Sequence, residues 1–175
     1  MAVGAYDSVS RRSSSKASQD VRAASLDEID RRILHLLQQD ARMPNNSLAA
    51  AVGIAPSTCL TRVRTLRTTG VIRGFHAEVD PAALGRGLQA MVAVRMQSGA
   101  RNRLSSFAQR LAARPEVLDL YFVAGADDFL VHVAVEDSDA LREFVLEQLS
   151  AFPEVALTET SLIFEHIRTS SARSR

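Results

Sequence analysis

The chain is poor in several residue types that usually announce a function. In 175 residues it has one cysteine, no tryptophan and one lysine. The lone Cys59 excludes an intramolecular disulfide framework and fits a reducing compartment. Lys16 stands against 20 arginines, a skew that GC-rich coding explains without any chemistry. No apolar run approaches the roughly 18 residues of a membrane span, and the N-terminus lacks the apolar core of a signal peptide. We therefore expect a soluble, cytoplasmic protein with no membrane partner. Catalytic signatures are missing too: there is no G-x-S-x-G, P-loop or G-x-G-x-x-G. An enzyme would have no nucleophile–base pair to work with. His35, His76, His132 and His166 are scattered without metal-ligand spacing, so neither a metal nor a covalent cofactor is expected.

Hydrophobic residues make up 46% of the chain and aromatics 5%, enough for a packed core built mainly from aliphatic side chains. Net charge is +1 but unevenly spread. Residues 1–80 carry a surplus of three positive charges, and 81–175 a surplus of two negative ones. Between Asp40 and Glu78 there is no acid, while Arg42, Arg62, Arg64, Arg67 and Arg73 lie there. Such a window is either a solvated helix face or the footprint of an anionic partner.

Residues 1–25, with "SRRSSSKASQD", are Ser-rich and too polar to offset their ordering entropy, so a disordered tail is expected, as for "TSSARSR" at 169–175. "SLDEIDRRILHLLQQD" carries two overlapping cap signals, Ser25 with Glu28 and Asp27 with Asp30, before a helical apolar repeat. Asn45 or Asn46 is expected to cap a short second helix that Gly53 ends. Pro56 suits the first turn of a third helix that Gly70 stops. "VIRGFHAEV" reads as a strand or short hairpin over 71–79. Residues 26–79 thus have the pattern of a winged helix-turn-helix.

A Pro/Gly-marked linker, 80–87, leads to a second rhythm over 88–168. Ala90, Val92, Val94 and Met96 alternate on one strand face, and "RLSSFAQRLAA" (103–113) is helical. "VLDLYFVA" and "DFLVHVAV" are strands around the turn 125–127. "SDALREFVLEQLSAF" (138–152) is a helix capped by Asp137 or Ser138, and "VALTETSLIFEHI" (155–167) a last strand. The order βαββαβ is ferredoxin-like, making the whole chain α+β. Its helices should cover one sheet face, and the other should pack on a second copy.

On a helical wheel from Ser57, Cys59, Leu60, Val63 and Leu66 fall in one arc. Ser57, Thr58, Thr61, Arg62, Arg64, Thr65, Thr68 and Thr69 fill the opposite one. That arc has hydroxyls and arginines but no acid. Arginine binds guanine edges or phosphates, and Ser and Thr reach either. Ser57, Thr58 and Thr61, near the helix start, would lie deepest in a major groove; Arg64 and Arg67 suit phosphates.

These segments resemble the Lrp/AsnC, or feast/famine, transcriptional regulators over about residues 26–168. "LDEIDRRILHLLQQDAR" is similar to the family's opening helix, and "LAAAVGIAPSTCLTRVRTLRTTGVIRGFHAEVDPAALG" to its helix-turn-helix and linker. "EVLDLYFVAGADDFLVHVAV" and "VALTETSLIFEHI" are similar to its effector domain. The resemblance implies a DNA-binding homodimer that assembles further, often to an octamer, under the control of a non-covalent effector, usually an amino acid. It implies a double-stranded, pseudo-palindromic operator met by Ser57, Thr58, Thr61, Arg62, Arg64, Thr65, Arg67 and Arg73. It places the effector between effector domains, near Gly125, Ala126, Asp127, Asp128, Thr158 and Thr160, with Asp128 pairing an ammonium group. Ala55 replaces the serine common before the helix proline, "RTTG" replaces the acids common at the helix end, and Ala126 breaks the usual loop pattern. Two rival readings are an architectural DNA-wrapping protein without ligand and a small-molecule enzyme or amino-acid-binding module on the ferredoxin-like sheet.

Overall fold

The computed structural model describes residues 26–166, which divide into two compact units, 26–78 and 79–166. The expectations for the tails 1–25 and 169–175, for the Ser25 cap and for residues 167 and 168 lie outside the described residues.

The first unit is three helices: α1 Glu28–Gln39, α2 Asn45–Val52 and α3 Pro56–Thr68. Asp27 caps α1 by accepting the Asp30 backbone N–H at 2.8 Å. No side chain caps α2, contrary to the expected asparagine cap. Asn45 instead donates its Nδ2 to the Pro56 carbonyl at 2.9 Å, tying the start of α2 to the start of α3. Gly53 closes α2 in the left-handed conformation, φ 75°, which a side chain would resist. Ile33, Leu48, Ala49, Val52, Cys59 and Leu66 form the core, and burial pushes the Cys59 thiol up, so it acts there as a small hydrophobe.

The expected strand over 71–79 is not formed. After Gly70 (φ 74°), the Ile72 N–H bonds back to the Leu66 carbonyl at 2.9 Å, and the backbone from Arg73 to Val79 pairs with no strand among the described residues. A hairpin folded at Gly74 would have arms of three to five residues, too short to stand alone. Phe75 and Val79 are left exposed.

The second unit begins with a 3₁₀ turn, Pro81–Leu84. Then come β1 Leu88–Met96, α4 Leu104–Ala112, β2 Val117–Phe122, β3 Phe129–Val135, α5 Ser138–Glu143 and β4 Val155–Ile163. The antiparallel sheet runs in the order β2-β3-β1-β4, the ferredoxin-like arrangement. Ala90, Val92, Val94 and Met96 share one face with Phe129, Val131, Val133 and Val135. Phe107, Leu111, Leu141, Phe144 and Leu149 bury that face from the helix side. On the other face, Tyr121 and Leu157 remain half exposed beside Met91, Ala93 and Leu130.

The helix expected over 138–152 forms without a break from Ser138 to Ser150, but its winding changes part-way. Asp137 caps α5, but Phe144–Ser150 winds as a π-helix, with the Ala151 N–H reaching five residues back to the Leu146 carbonyl. The wider turn carries Leu149, rather than Glu147 or Gln148, into the core beneath Leu141 and Phe144.

Candidate nucleic-acid interface and effector loop

The buried side of α3 is set by Cys59, Leu66 and the half-buried Val63. Arg62 sits next to them, about 40° from Leu66 at 100° per residue. Its guanidinium is accordingly committed within the unit. Nη1 contacts Asp27 Oδ2 at 2.7 Å and Asp30 Oδ1 at 2.9 Å, joining α3 to the start of α1. Arg62, expected to face DNA, is thus engaged with acids that lie more than 30 residues away in sequence, outside the acid-free window.

The Asp27 carboxyl is held below its ordinary 3.8 chiefly by the Asp30 N–H and then by Arg62. A carboxylate depressed in the folded state stabilises above its unfolded value, and that contribution is lost as pH falls through the folded value. The unit is therefore expected to lose stability on acidification below 3.8. Asp27→Asn should show a shallower acid dependence in thermal melts across that range.

Ser57, Thr58, Thr61, Arg64, Thr65, Arg67 and Arg73 are exposed, as is Leu60. Four threonines turn their hydroxyl protons inward. Thr61 donates to the Ser57 carbonyl at 3.0 Å, Thr65 to Thr61 at 3.0 Å, and Thr68 and Thr69 to Thr65 at 3.0 and 2.8 Å. Such back-bonded hydroxyls keep their oxygen lone pairs as acceptors. Arg67 lies 5.8 Å from the Phe75 ring centroid. Among the described residues Arg64 has no ion-pair partner, so the centre of the exposed arc is an uncompensated cation flanked by hydroxyls.

In the second unit the loop between β2 and β3 is fastened to the end of β1. Asp128 Oδ2 accepts the Met96 N–H at 2.8 Å, and the Asp128 N–H donates to the Val94 carbonyl at 3.0 Å. Arg95, which sequence reasoning passed over, donates its Nε to the Ala126 carbonyl at 2.7 Å and lies 3.4 Å from Asp127 Oδ1. Its place opposite Asp127 was hidden because the strand pairing that joins them spans 32 residues. Asp128 thus holds the loop in place through Oδ2. Replacing Asp128 with alanine orphans the part-buried Met96 N–H and is expected to cost about 1–3 kcal/mol in denaturant unfolding. Asp128→Asn, which keeps the acceptor oxygen, should recover most of that loss.

Gly125 has φ 152°, and a Cβ there would meet no atom within 4 Å. Thr158 and Thr160 pair with Val94 and Val92 and so share the helix-covered face; Thr158 Oγ1 is 3.4 Å from Ser150 Oγ, while Thr160 is exposed. Arg95 and Asp127 stand towards the opposite face, on the other side of β1. A single copy therefore does not gather these six residues into one pocket. A cavity of about 280 Å³ lies at the far end of the sheet, lined by Arg86, Arg114, Glu116 and Glu147 among others, and none of the six borders it.

Comparison with known proteins matches both units. The AsnC-type helix-turn-helix domain matches residues 26–67, and the Lrp/AsnC ligand binding domain residues 89–172. The chain is 59% identical over 152 residues to the HTH-type transcriptional regulator AldR of Mycobacterium tuberculosis, covering 87% of this chain and 85% of that protein. It is 38% identical over 143 residues to the leucine-responsive regulatory protein of Rhizobium meliloti, covering 82% and 92% respectively. A transcriptional regulator from Neisseria meningitidis, solved as its L-Met complex, superposes with a TM-score of 0.77 at 31% identity, over 84% of this chain and 95% of that one.

Proposed function

The chain belongs to the Lrp/AsnC family of DNA-binding transcriptional regulators, which are not enzymes, and from that premise we propose that it acts as an amino-acid-responsive homodimer on a pseudo-palindromic operator. The observation that carries the DNA side is the outer arc of α3, where Ser57, Thr58, Thr61, Arg64 and Thr65 lie exposed with no acid among them. Two such helices related by a dimer axis fit successive turns of a major groove. Arg67 and Arg73 are assigned to the flanking phosphates, and Arg62 to holding α3 in place.

The effector reading rests on the incompleteness of the single copy. The loop of Gly125, Ala126, Asp127 and Asp128 and the strand bearing Thr158 and Thr160 lie on either side of β1 and towards opposite faces. They can border one ligand only where effector domains meet, and the half-exposed Tyr121 and Leu157 offer apolar surface for such a meeting. Backbone N–H groups of the loop would take the ligand carboxylate. Dimers would associate further, up to an octamer.

Calorimetry with each of the twenty amino acids, followed by gel shifts with and without any that bind, tests this. The expected result is heat for at least one and altered DNA affinity in its presence. Retained DNA binding with no heat for any of them would favour the architectural reading.

A further inference from the structure

Leu60 is not one of the side chains that close the core of its own unit. It is 49% exposed, whereas Cys59 beside it and Leu66 further along the helix are 0% and 3% exposed. The core of the unit is closed by other side chains, and Leu60 is not part of it. On α3 it sits about 60° from Ser57 and 40° from Arg64, at 100° per residue, between Arg64 and Arg67. Its helical phase groups it with the docking arc; its exposure places it in the outer one.

We propose that Leu60 reads a thymine through the C5-methyl group in the major groove, making it a specificity-determining residue of the DNA-binding surface. The inference rests on α3 being the helix that faces DNA. Leucine has no hydrogen-bonding atom in its side chain, and the thymine methyl is the one apolar feature on a major-groove base edge. Leu60 lies between two exposed arginines on an arc without acids, so approach to a polyanion is favoured where Leu60 would be brought against the bases. Seating the same arc on that of a second copy would instead bring Arg64 and Arg67 against their like-charged equivalents.

The test uses the full chain and a duplex enriched from a random-sequence DNA pool by the wild-type protein. Each thymine is replaced in turn by deoxyuridine, which pairs identically but lacks the methyl, and affinity is read by fluorescence anisotropy. At one position per half-site the replacement is expected to weaken wild-type binding about fourfold, the worth of one buried methyl-sized group. Leu60→Ala, at an exposed helix site where alanine is the best helix former, should lose a similar factor on the thymine duplex and be indifferent to uracil at that position. Wild-type binding that is tight yet insensitive to uracil everywhere overturns the Leu60 assignment alone, as does undiminished uracil sensitivity in Leu60→Ala. Failure of the wild type to enrich or bind any duplex overturns the DNA reading together with it.

Discussion

Arg64→Ala is expected to weaken operator binding about tenfold or more while leaving the unfolding midpoint of the protein unchanged, and Arg62→Ala to do the reverse. An arginine bound to a guanine edge or clamped on phosphate is worth about 1–3 kcal/mol, each 1.4 kcal/mol being tenfold in affinity. Arg64 is exposed and free of acidic partners among the described residues, so its charge is available and its loss breaks nothing inside the unit. Arg62, two residues earlier, bridges α3 to Asp27 and Asp30, and those two carboxylates further favour its charged form. Removing it leaves two neighbouring acids uncompensated and frees α3 from the start of α1. Its effect on DNA should therefore follow the loss of folded protein and shrink at low temperature, where the Arg64→Ala defect persists. Paired melts and anisotropy titrations separate the two. Equal affinity losses with equal stability would mean that both arginines touch DNA.

Ile33→Ala is expected to be the most damaging single change to the DNA-binding unit. Ile33 is fully buried, packed with Leu48, Ala49, Val52, Cys59 and Leu66 from the other two helices. Truncating such an isoleucine costs about 2–5 kcal/mol through lost burial and the cavity left behind. A unit of this size has little stability in reserve. Loss of helical circular dichroism and of DNA binding at moderate temperature is the expected outcome, with Ile33→Val, one methylene smaller, retaining most of both. A fully folded, DNA-competent Ile33→Ala protein would show that the three helices are held by something other than this core.

Much of this was legible from local chemistry. Asp27, Gly53, Pro56 and Asp137 each mark a helix end by a property of one residue, a carboxylate acceptor, a positive φ or a missing N–H, and each acts as its chemistry requires. The alternation of Ala90, Val92, Val94 and Met96 likewise gives the buried strand face. What escaped depends on partners distant in sequence. The 71–79 segment has β-prone residues but no neighbouring strand among the described residues. The π turn over 144–150 becomes visible only once Leu149 must meet the sheet, and Arg62 and Arg95 are defined by acids about thirty residues away. Leu60 was misjudged because composition cannot tell an apolar side chain that docks from one left facing outward.

The salt dependence of DNA binding tests most directly whether α3 is a DNA-reading helix. Wild-type affinity for the DNA upstream of its own gene, titrated through rising salt, should fall steeply and linearly on a log–log plot as arginine–phosphate contacts release counterions. The slope should be shallower by about one for Arg64→Ala if Arg64 meets a phosphate. A flat titration, or no binding to that DNA at any salt concentration, would contradict the assignment of the Ser57–Arg67 arc to DNA.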